Sequence, residues 1–134
     1  MTLTTWFTIH AVVALAFGAG PLVDPVGLAA MYGMTSDSVG IFTARQLGAT
    51  FLTFAAIAWL ARNAEPGPAL KAIVGGFAIG FIVGFAVTFQ AQLAGIGNAM
   101  YWSAVAVWLI LAAGYIWFFF TGNYEAGRLV GQVR

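Results

Sequence analysis

The chain contains no cysteine, a single histidine and very little charge. Without cysteine there are no disulfides, no thiolate metal sites, no iron–sulfur clusters and no Cys nucleophile. One histidine excludes a haem held between two histidines of this chain and argues against a His-rich metal site. Only 7% of the 134 residues are charged, where an average soluble domain carries roughly a quarter. The net charge of +1 supplies no basic field for nucleic acid. No Ser-His-Asp set, no paired intramembrane carboxylates and no phosphate-cradling loop before a helix are present, so no catalytic or metal-binding constellation emerges. An ion-coupled pump or transporter places carboxylates inside its spans, and the apolar runs here contain none.

What remains is apolar: 62% of the residues are hydrophobic. Four runs, about residues 5–23, 39–62, 69–93 and 99–121, are each long enough to cross a bilayer as a helix. The sequence therefore predicts an all-α fold, a polytopic four-helix membrane bundle forming one domain over residues 1–134. The first run lacks a preceding Lys or Arg and continues into Pro21 without a clear cleavage site, so it reads as a retained span. Asp24-Pro25 is a helix start, with Asp24 as cap and Pro25 in the first turn. The segment from Val26 to Tyr32 is too short to span and too apolar for a loop, and Gly33 ends it. A short interfacial helix over about residues 25–32 is expected. Ser36, Asp37 and Ser38 offer caps for the second span. The two prolines of Asn63-Ala64-Glu65-Pro66-Gly67-Pro68 force a turn, and Gly95-Ile96-Gly97-Asn98 makes another. A short mixed tail covers residues 122–134.

Charge orients the bundle. Arg62 and Lys71 flank the middle loop, and Arg128 and Arg134 lie in the tail. The other two loops contain no Lys or Arg. The positive-inside rule then places the middle loop and both termini in the cytoplasm, which for a bacterial protein means the inner membrane. Trp6, Trp59, Tyr101, Trp102, Tyr124 and the run Phe118 to Phe120 fall near span ends, as an interfacial aromatic belt requires.

The third span carries Ala72, Gly76, Gly80, Gly84 and Thr88 at every fourth position, beside a ridge of Phe77, Phe81, Phe85 and Phe89. Small residues at this spacing let another helix backbone approach. The expected neighbour of Gly76, Gly80 and Gly84 is a helix of the same chain; a homo-oligomer or larger-complex interface is the alternative.

Arg45 is the one charge well inside a span. Such a group normally faces the bundle interior with a partner, and Gly48, Ala49 and Leu52 follow it at three-, four- and seven-residue spacing. Topology brings Gln90, Gln92, Asn98, Tyr101 and Trp102 to the same end of the bundle, with Gln46 and Thr50 nearby and Asp24 and Asp37 bounding the adjoining loop. The expectation is a polar layer around Arg45. In one reading it is structural glue; in the other it is the floor of a pocket for an amphiphilic, lipid or quinone-like ligand, since Arg suits carboxylate and phosphate. No cofactor is identified by the residues. His10 lies in the first span with Trp6, Val13, Ala14 and Phe17 on its face, and Tyr115 falls at a similar depth. A neutral His10 bonded to Tyr115 or to backbone is expected; an axial ligand to a porphyrin-type pigment or a proton relay is the alternative.

The segments Pro25…Tyr32-Gly33, Arg45-Gln46-Leu47-Gly48 and Asn98…Trp102 together resemble small bacterial four-helix membrane proteins of the DoxX-like type. The resemblance implies a four-helix bundle and, for some relatives, a link to quinone-dependent or redox complexes. Three functions follow in order: a non-catalytic accessory subunit or binder of an apolar or amphiphilic ligand, a quinone-reactive or redox-linked membrane enzyme subunit using the Arg45 layer, and a small carrier.

Overall fold

In a computed structural model, residues 1–122 are described; Arg128, Arg134, Tyr124 and the rest of the tail lie outside them. The described residues form helices joined by short turns: α1 (Leu3–Val23), α2 (Pro25–Met31), α3 (Ser38–Ala61), α4 (Pro68–Leu93), a 3₁₀ turn (Ala99–Tyr101) and α5 (Trp102–Thr121). No strand occurs among them. Four helical segments are long and apolar enough to cross a membrane, and α2 is the short helix expected between the first two.

Local chemistry sets the boundaries. Thr2 caps α1, its hydroxyl accepting from the Thr5 amide. The Asp24 carboxylate accepts from the Gly27 amide and Pro25 opens the first turn of α2. Asp37, one of the three candidate caps, does the same for α3 through the Gly40 amide at 2.7 Å. Pro68 starts α4, where a missing N–H costs nothing. Gly122 ends α5 in a left-handed conformation, φ 60°, which glycine adopts without strain.

The helices associate as two close pairs, α1 with α3 and α4 with α5. In the first pair the backbones nearly touch: a Cβ added at Gly48 meets the Gly18 carbonyl oxygen at 2.8 Å and Leu22 at 2.9 Å. In the second, Gly84 receives the Trp108 indole and Gly75 the Phe119 ring. Between the pairs lies an aromatic layer built from Phe7, Phe54, Phe77, Phe81, Tyr115 and Trp108. Trp6 and Phe118 belong to this core, 7% and 2% exposed, and not to an interfacial belt. Gly114 makes the difference for Trp6, because the indole occupies the place of the absent Cβ. Trp59 and Phe120 do face outward.

Candidate functional site

The polar layer expected around Arg45 does not form. Arg45, Gln46 and Gln90 are exposed and make no side-chain hydrogen bond or ion pair among the described residues. The reason is the register of α3. Its buried stripe is Gly48, Phe51, Ala55 and Ala58, fixed by the contact of Gly48 with α1. At 100° per residue Arg45 stands roughly a quarter turn off that stripe, on the outward flank with Phe42 and Ala49, which are exposed as well.

The other members of the expected layer have separate employments. Asp24 and Asp37 are helix caps. Asn98 is a clasp: its side-chain amide donates to the Met31 carbonyl at 3.0 Å, and its backbone amide to that of Tyr32 at 2.8 Å. Its carboxamide oxygen accepts from the Met100 amide, and Gln92 donates to its carbonyl. Tyr101 stands edge-on to Tyr32 at 5.5 Å, and Trp102 packs on Phe89. These contacts fasten the loop after α2 to the turn before α5. Gly33 permits it, since its φ is 74° and a Cβ there would crowd Asn98 at 3.0 Å.

The glycine face of α4 also departs from expectation. Gly84 packs within the chain, but Gly76 and Gly80 have no atom within 4 Å of an added Cβ. They line an open groove of about 240 Å³ with Phe54 and Ile57 of α3 and Ile73, Phe77 and Phe81 of α4. The groove exists because α3 and α4, though consecutive, pack only lightly, each being committed to its own partner helix. The bulk of Phe54, Phe77 and Phe81 holds them apart. Spacing alone identified the small residues; Phe54, Ile57 and Ile73 carried no such signal.

His10 and Tyr115 meet as their depths predicted. Both are fully buried, and His10 Nδ1 lies 2.5 Å from the Tyr115 hydroxyl. With Tyr115 donating to Nδ1, only the Nε2–H is left without a partner; the opposite assignment leaves both Nε2 and the phenol hydrogen unmatched. The imidazole stands nearly perpendicular to Phe77 and Phe81, at 4.6 and 4.9 Å between centroids. Nε2 has no hydrogen-bond partner, and the indole N–H of Trp6 one turn away has none either. Beside His10 is a cavity of about 10 Å³, lined otherwise by apolar side chains. It has room for roughly one water but too few polar groups to hold it.

No protein-family model, no curated protein and no solved structure matches this chain. The fold defines the class of molecule: an all-α bundle of four apolar helices of membrane-spanning length.

Proposed function

We propose that this chain is a small non-catalytic integral membrane protein, of the DoxX-like type, that takes up an apolar or amphiphilic molecule between α3 and α4. The groove carries the reading. It is apolar, open to the surroundings of the bundle, and floored by Gly76 and Gly80, where no side chain of the described residues intrudes. An acyl or isoprenoid chain is complementary to such a surface. A quinone-reactive role, which needs the polar layer around Arg45, draws no support from Arg45, Gln46 and Gln90, which are exposed and make no side-chain hydrogen bond or ion pair among the described residues.

Gly80→Leu tests the groove. An exposed glycine in a helix interior costs about 1 kcal/mol relative to a good helix former, so the variant should fold at least as stably as the wild type. It should nevertheless lose apolar molecules that co-purify in mild detergent, as read by mass spectrometry. A second reading rests on the same open glycines, which also admit the backbone of a partner helix, as in an accessory subunit or homo-oligomer. In that case Gly80→Leu releases a protein and leaves the small-molecule content unchanged.

The placement proposed is a bacterial inner membrane with both ends cytoplasmic. Arg62 and Lys71 at the α3–α4 turn support it under the positive-inside rule. With no native cysteine to interfere, Ser36→Cys should react with an impermeant thiol reagent on intact cells, and Ala64→Cys only after lysis. Reaction at position 64 and not at 36 on intact cells reverses the orientation.

A further inference from the structure

We propose that Arg45 binds the phosphate of an anionic phospholipid, in the leaflet that adjoins α2. The argument begins with cost. A guanidinium on the outer face of a membrane helix must find hydrogen-bond acceptors, because none is available in hydrocarbon. Arg45 lies eight residues beyond the capping Asp37 in an apolar span, is exposed, and has no acceptor among the described residues. At 1.5 Å per residue its Cα is roughly 12 Å along the axis from that cap.

Direction comes next. Side chains on a helix lean toward its N-terminus. For α3 that is the end beside α2, so the long Arg side chain extends along its own helix toward the nearer headgroups. Phosphate oxygens are the acceptors found at that level, and a guanidinium matches them in charge and in its fork of donors. The other charged groups on that side offer no competing partner. Asp24 and Asp37 each cap a helix through Oδ1, and neither forms an ion pair with Arg45 among the described residues. Below Arg45 the same flank continues with Ala49, Thr53 and Ala56, all exposed, and the Thr53 hydroxyl is tied to the Ala49 carbonyl. An acyl chain running from a phosphate on Arg45 along these three residues therefore meets only short side chains.

This site is separate from the groove. Phe54, which lines the groove, is nine residues from Arg45, about half a turn around the helix. The cation at the other end of α3 is differently engaged: Arg62 donates to the Trp59 carbonyl and lies over its ring, 3.6 Å from the centroid. Arg45 has neither contact.

The experiment is native mass spectrometry of delipidated protein titrated with phosphatidylglycerol or phosphatidylcholine. The wild type should retain phosphatidylglycerol about fivefold more strongly, the preference that one basic residue near a charged bilayer surface supplies. Arg45→Met should lose most of that preference, Arg45→Lys should keep part of it, and Arg62→Met should leave it largely in place. Circular dichroism of each variant confirms that the fold persists. An unchanged preference in a folded Arg45→Met overturns the proposal. So does displacement of the lipid by millimolar inorganic phosphate, which identifies a free-anion site instead. Loss of an oligomer in Arg45→Met also overturns it, by identifying a carboxylate on a partner chain as the counter-charge.

Discussion

Gly48→Leu will cost the bundle about 3 kcal/mol or more, the upper end of what overpacking produces, and will leave little folded protein in mild detergent. The prediction follows from what surrounds the position. An added Cβ meets a backbone carbonyl oxygen, that of Gly18, at 2.8 Å, and Leu22 at 2.9 Å. Backbone cannot rotate away as a side chain can, so α1 and α3 must separate. Gly18 is the reciprocal half of the contact, its own added Cβ meeting the Gly48 carbonyl at 3.0 Å. Even Gly48→Ala should lower stability measurably, by about 1 kcal/mol or more. Helicity followed through thermal or denaturant unfolding in detergent reads both. A Gly48→Leu protein as stable as the wild type would show that the α1–α3 crossing is not close-packed. The contrast with Gly80→Leu is the useful control, because both replace a mid-helix glycine by the same residue, one in a crossing and one in open space.

That contrast marks where the sequence stops being informative. Helix existence was legible because each span is a long apolar run bounded by residues with one local meaning: Asp24-Pro25, Asp37, Gly67-Pro68 and Asn98 all act at helix starts as their chemistry dictates. The face a helix turns inward was not, because in a membrane protein lipid is as apolar as the core and hydrophobic periodicity fades. Gly76, Gly80 and Gly84 look equivalent in sequence. Only the third meets a large side chain, Trp108, whereas the first two fall where α3 has gone to α1.

Arg45 shows the same limit. Gly48, which follows it at three-residue spacing, is indeed in a helix crossing, but Arg45 lies on the flank of that crossing. Gly18 and Gly48, whose added Cβ atoms would each meet the other's carbonyl oxygen, mark the faces of α1 and α3 that meet. Their position fixes the register and sends Arg45 outward. The His10–Tyr115 pair was legible for a different reason. Depth in antiparallel spans is a matter of counting residues, and each of these residues has a polar group that a buried environment requires to be matched.

The pair also supports a stability prediction of known sign. Tyr115→Phe keeps the ring that lies parallel to Phe81 at 5.7 Å and adjoins Phe77 at 5.1 Å, so it removes a hydroxyl and little packing. It leaves His10 Nδ1 with no donor in a fully buried site, where Nε2 is unpartnered already. The cost should be about 1–3 kcal/mol. His10→Leu strands the Tyr115 hydroxyl in the same way and also gives up the edge contacts with Phe77 and Phe81. The double variant strands nothing. It should therefore be more stable than the two single losses together imply, by about 1 kcal/mol, the scale measured for hydrogen bonds between membrane helices. Losses that simply add would show that the two groups act independently, and that His10 is held by packing among the rings rather than by Tyr115. The sign of the non-additivity matters beyond stability. Coupling ties α1 to α5, two helices whose backbones scarcely approach each other, and so identifies this bond, within its aromatic surround, as a polar link between the helices of the two pairs, where the Asn98 clasp joins only their loops.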